Sequence, residues 1–126
     1  DALTLPHMAI GGDGVISVVG NAFPKRFSRL VHNALDGNIQ EARKDHYELI
    51  ELIQTLFADG NPAGIKRVLK ELHICKEHLR LPLVPVKKPS LSPIRCAILS
   101  TDFNTLDIGS TGTPSISANC LVGGAK

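Results

Sequence analysis

Tryptophan is absent from this 126-residue chain, tyrosine occurs once, and aromatics make up only 4%. Surfaces that bind single-stranded nucleic acid stack bases on aromatic rings, so the shortage argues against one. Charge of one sign is missing as well. The 14 basic and 12 acidic residues leave +2, which gives no electrostatic case for nucleic acid or an anionic membrane. No apolar run approaches the roughly 18 residues of a membrane-spanning helix, and no basic-then-apolar signal segment is legible at the start. Cysteine is scarce too: Cys75, Cys96 and Cys120 are an odd number without paired spacing. They make no disulfide framework, and a reducing, cytoplasmic setting is the expectation. The chain opens on Asp1 rather than methionine, in what reads as the approach to a helix, as a cut chain would.

What is present is organised around Gly11–Asn21. Val15–Val19 is apolar and mostly β-branched, broken only by Ser17, with glycines and small polar residues on both sides. A short continuous run of this kind predicts a strand buried on both faces, as in a parallel sheet. The expectation is that its partner strands are missing from this chain. Before it, residues 1–10 suit a short helix with Leu5, Met8 and Ala9 on one side and Pro6 in the first turn. Gly11 and Gly12 then supply a helix cap and a tight turn. Helix, glycine turn, strand, loop, helix is the repeating unit of α/β proteins.

Three further helices follow. The first spans about 24–36, with Phe23, Phe27, Leu30, Val31, Ala34 and Leu35 as its apolar stripe and Gly37 as its cap. Asn38, with Glu41 three residues on, matches a capping box for a long helix over 39–58. Its apolar face holds Ile39, Ala42, His46, Leu49, Ile50, Ile53, Leu56 and Phe57. Pro62 opens a helix to about residue 74, with Ile65, Val68, Leu69 and Leu72 inward and Lys66, Arg67, Lys70 and Glu71 mostly outward. Leu79–Val86 is extended, because Pro82 and Pro85 disfavour helix in themselves and in the preceding residue. From Lys87 the text turns polar and turn-rich. Only Cys96–Leu99 suits a strand, and the tail is expected to be poorly ordered, since it buries too little to offset its ordering entropy.

Several clusters invite a sharper reading. Gly11-Gly12-Asp13-Gly14 resembles a phosphate loop but precedes a strand instead of following one, so it reads as a turn. His73-x-Cys75-x-x-His78 has metal-like spacing, yet a closed zinc site needs four ligands, and histidines near a helix C-terminus also complement its dipole. His46 reads as a packed, hydrogen-bonded core residue, and Lys25-Arg26-x-x-Arg29 as a solvated face. Ser17 suits either the lining of a pocket or ordinary strand alternation.

Four stretches, in order and spacing, resemble the C-terminal part of the 4-hydroxy-tetrahydrodipicolinate (dihydrodipicolinate) synthases. They are Asp1-Ala2-Leu3 with Gly11-Gly12; Gly14-Val15-Ile16-Ser17-Val18 before Asn21; Glu41-Ala42-Arg43; and Gly60-Asn61-Pro62 with Lys66, followed by Leu79-Arg80-Leu81-Pro82-Leu83. The resemblance covers residues 1–86. It implies an α/β fold, the C-terminal fragment of a (β/α)8 TIM barrel plus an appended helical domain, mostly α in this chain and with an irregular tail. Residues 1–37 would be the last α/β part of the barrel and 38–86 the helical domain. Residues 87–126 have no family counterpart and fit a frame shift or a fusion.

The family is a class I, Schiff-base lyase that condenses pyruvate with aspartate semialdehyde in lysine biosynthesis, as a homotetramer without metal or organic cofactor. Its nucleophilic lysine and tyrosine–threonine–tyrosine relay would lie upstream of Asp1. Lys25, Lys44, Lys66 and Lys70 do not match the nucleophile, nor Tyr47 the relay. No catalytic residue carries over. Ile16 does carry over, as the isoleucine whose main chain lines the pyruvate site, with Gly20 and Asn21 nearby at the strand's C-terminal end. The fragment alone is expected to be inactive and, as a barrel remnant, to aggregate or stay molten. The alternatives are another pyruvate-dependent aldolase, of N-acetylneuraminate lyase type, and a non-catalytic helical interaction module.

Overall fold

The computed structural model describes residues 1–87, Ile94 and the backbone of strand Cys120–Gly123. The elements run α1 (Thr4–Ala9), β1 (Gly14–Ser17), a 3₁₀ turn (Val19–Asn21), α2 (Pro24–Leu35), α3 (Ile39–Phe57), α4 (Ala63–Glu71) and β2 (Cys120–Gly123). The described chain is mostly helical. Its core is one continuous cluster fed by every helix: Leu5 and Met8 from α1, Phe27, Leu30 and Val31 from α2, Leu49, Leu52 and Leu56 from α3, and Ile65 and Val68 from α4.

Three helices stop by the same device. At Gly11 (φ 101°), Gly37 (φ 79°) and His73 (φ 57°) the chain turns left-handed. In each case two amides fold back onto the last turn's carbonyls, as when His73 N–H reaches the Lys70 oxygen and Ile74 N–H reaches Leu69. This is the Schellman arrangement, and glycine adopts it without the Cβ penalty. Histidine at the third site explains why α4 ends at Glu71 instead of near residue 74. No glycine marks that stop in the sequence.

Other expectations need correction. Asn38 makes no side-chain cap; its main-chain carbonyl accepts from Glu41 and Ala42 instead. Ala9 faces out, and Leu35, Ile39 and Phe57 are more than a third exposed, so those ends of the stripes overrun the core. Asp45, not an apolar residue, completes the buried face of α3.

The strand departs most. It ends at Ser17, with Val18 already helical at φ −83°, ψ −47° and Val19 inside the 3₁₀ turn. Nor is it buried on both faces, since Ile16 is 68% exposed while Ser17 is buried. One edge has a partner from the tail: Gly14–Ser17 pairs antiparallel with Cys120–Gly123, Ile16 opposite Leu121. The chain thus covers one row of β1 amides and carbonyls that expectation left bare. Ile94, in the same tail, is helical and 1% exposed within the core. Cys96–Leu99 lies outside the described residues.

α3 and α4 approach closely at Gly64, where a Cβ would stand 1.8 Å from the Leu56 carbonyl oxygen. Only a residue without a side chain fits there.

Candidate functional site

At the end of β1 the amides can be accounted for one by one. The N–H groups of Val18 and Val19 donate to the Asp1 carboxylate, at 3.1 and 2.8 Å to Oδ2. Gly20 N–H donates to Ser17 Oγ at 2.8 Å. Asn21 N–H reaches the Val18 carbonyl, while Ala22 and Phe23 N–H share that of Val19. Asn21 Nδ2 donates to the carbonyls of Val18 (3.0 Å) and Ser17 (3.3 Å). Six consecutive amides are therefore committed within the protein. None is left over for the anion site that a strand-to-helix turn can otherwise offer.

Ile16 sits just before this knot. Its side chain points to solvent, Val15 packs on the core, and Ser17 is buried with its hydroxyl engaged. What the strand end presents is thus a small buried Gly20 and the main chain at Ile16, which along one edge lies opposite Leu121. It holds no nucleophile and no base. It can shape a pocket wall and cannot by itself do covalent chemistry.

The lysines lie elsewhere. Lys44 Nζ is 2.7 Å from Glu41, Lys70 Nζ is 3.0 Å from Glu77, and Lys66 Nζ donates to the His78 carbonyl. Lys25 is exposed on α2. A nucleophilic Schiff-base amine is set in a buried pocket or beside another cation; none of these four is buried, and Lys44 and Lys70 sit against carboxylates. Tyr47 is 65% exposed on α3. His73, Cys75 and His78 line an open cleft with Lys70 and Glu77. No three His, Cys, Asp or Glu side chains among the described residues are grouped so as to hold a metal.

The basic cluster on α2 is not simply solvated. Arg29 makes a two-pronged bond to Asp45, Nε to Oδ2 at 2.8 Å, and Arg26 pairs with Glu48 at 3.1 Å. That hydrogen bond raises the Arg29 guanidinium above its ordinary pKa. Both pairs fasten α2 to α3. Arg67, read from spacing as outward, is 12% exposed and bridges Glu71 and Glu77. Burial alone would raise the Glu77 carboxyl, but hydrogen bonds from Lys70 and Arg67 outweigh it and hold the group below the usual carboxylate range. His46 is half-buried and its Nδ1 has no partner, contrary to the expected hydrogen bond. Burial lowers its pKa.

No helix among the described residues is long and apolar enough to cross a membrane. The sequence profile described as the dihydrodipicolinate synthetase family matches residues 1–99. The chain belongs to that family. Among curated relatives, the 4-hydroxy-tetrahydrodipicolinate synthases of Parabacteroides distasonis and Methanococcoides burtonii are 48% and 49% identical over 95 and 86 residues. Those spans are 75% and 68% of this chain but 32% and 30% of the relatives. The chain therefore spans about a third of the length of the synthases it matches.

Solved structures agree. The dihydrodipicolinate synthase of Thermotoga maritima superposes with TM-score 0.77 at 34% identity, over 79% of this chain and 34% of that one. The Acinetobacter baumannii dihydrodipicolinate synthase, crystallised with pyruvate, gives 0.76 at 30% identity over 79% and 34%. The family profile runs past Val86, to residue 99.

Two side chains that hold the strand end escaped sequence reasoning. Asp1 acts across 17 residues of chain, a separation that no local pattern encodes. Asn21 was placed near the pocket as a neighbour, whereas its amide ties two carbonyls. Ser17, three residues before Gly20, did carry a local signal, since serine hydroxyls favour turn amides.

Proposed function

We propose that this chain supplies one wall of a 4-hydroxy-tetrahydrodipicolinate synthase, the enzyme that joins pyruvate to aspartate semialdehyde through a Schiff base. Residues 1–37 form the last α/β part of the barrel and 38–86 its appended helical domain. Ile16 presents main chain to pyruvate from the C-terminal end of β1, the end at which barrel enzymes gather their sites. The nucleophilic lysine comes from outside this chain. One observation carries the reading: 48% identity to a named synthase over 95 residues, in a chain whose residues 1–99, Gly14–Asn21 among them, match the family profile.

The test is borohydride trapping. This chain incubated with pyruvate and reductant yields no covalent adduct by intact mass. Coproduced with the complementary first part of the Parabacteroides distasonis synthase, it restores the adduct on that partner's lysine, together with condensation activity. An adduct on this chain alone, or no adduct in the reconstituted pair, overturns the proposal.

A further inference from the structure

Local preference and observed structure disagree at one place. Val15, Ile16, Val18 and Val19 favour extended chain, yet the strand breaks after Ser17 and Val18 is helical. Ser17 Oγ, accepting from Gly20 N–H, favours a turn here, and the Asp1 carboxylate accepts both amides of the break, Val18 at 3.3 and 3.1 Å and Val19 at 2.8 Å. Ionised carboxylate oxygens provide about four acceptor sites, so one group can hold both amides at charge-assisted strength. Were the strand to continue to Val19, those amides would turn sideways, away from Asp1. Ile16 would then lie in mid-strand instead of beside the strand's end.

We propose that Asp1 is a positioning residue for the synthase reaction: by clamping the Val18 and Val19 amides it fixes where β1 ends, and so sets the main chain of Ile16 against pyruvate. The role rests on the function proposed above, whereas the clamp stands on its own geometry. Asp1 touches neither substrate nor nucleophile. It acts through two amides and a peptide plane, and Ser17 and Asn21 lock the same turn from the other side.

Two measurements test it. In the ¹⁵N-labelled full chain, Asp1→Asn shifts the Val18 and Val19 amide resonances and speeds their hydrogen exchange about tenfold, while Leu49 and Leu52 in α3 keep their rates. Unmoved amides, or equal acceleration in α3, would refute the clamp. In the reconstituted pair, Asp1→Asn raises KM for pyruvate by about tenfold with kcat within a factor of about two. Asp1→Glu, which retains the charge, recovers part of that loss. A fall in kcat with KM unchanged is what mere loss of folded protein gives, and it would overturn the positioning role. An inactive unsubstituted pair would instead refute the proposed function, and the exchange result would still decide the clamp.

Discussion

Replacing Gly64 with alanine tests how tightly α4 lies on α3. The new Cβ would stand 1.8 Å from the Leu56 carbonyl oxygen and 2.8 Å from its carbon. Carbon–oxygen contacts settle near about 3.3 Å, so α4 must retreat by roughly 1.5 Å. The obstacle is helix backbone, which cannot swing aside as a side chain would. The retreat strips contacts from Ala63, Ile65 and Val68, all buried. Overpacking of this kind costs up to about 3 kcal/mol. Against it stands the helix preference of alanine over glycine, about 1 kcal/mol. The net loss is about 2 kcal/mol, and the steric term decides the sign.

Urea unfolding followed by far-UV circular dichroism should show it. With a slope of about 1 kcal/mol/M, the midpoint falls by about 2 M. Gly37→Ala is the control, because φ is 79° there but nothing lies within 4 Å of the added carbon. It bears only left-handed strain, about 1 kcal/mol. If Gly64→Ala unfolds at the same urea concentration as the parent, or later than Gly37→Ala, the close approach is wrong.

Removing Arg29 should cost more than removing Asp45. Arg29 is 62% exposed and can return to water, whereas Asp45 is 3% exposed and would be left buried without its partner. Arg29→Ala should lose about 2 kcal/mol, below the full cost for two buried ions because one partner is solvated, and the double alanine variant should unfold later in urea than Arg29→Ala. Additive losses would refute this asymmetry. Acid should expose the Glu77 network. Its carboxyl is held low in the folded chain, so its stabilisation is complete above the ordinary carboxylate pKa of about 4.3 and is lost as pH falls through the lower folded value. Glu77→Gln should flatten that part of the stability–pH curve; an unchanged acid limb would assign the loss to other groups.

The helices were legible because their stripes repeat at three and four residues and because Gly11, Gly37 and Gly60 punctuate them. Each of these glycines takes a positive φ. The stop at His73 was not legible, since a residue with a Cβ fills a place where glycine is the usual signal. Polar residues misled most. Arg67 and Asp45 are buried by pairing, Arg67 with Glu71 of its own helix and Glu77 beyond it, Asp45 with Arg29 across α2 and α3. The Ile16 position was read from motif order, and Ile16 stands on β1 at the strand end. The length of that strand was only partly legible: Ser17 carries a local turn signal, but the carboxylate that holds the Val18 and Val19 amides lies at residue 1. A run of four apolar residues around a serine says how residues prefer to sit, and a distant carboxylate can help to overrule it.

The bond between Asp1 and Val18 also makes residues 1–18 a closed lasso, knotted at its neck by two amides and weighted inside by Leu5 and Met8. Fraying of α1 therefore cannot stay local: unwinding its first turn unties the neck, and the strand end is freed in the same event. Anything attached ahead of Asp1 is tethered beside that strand end.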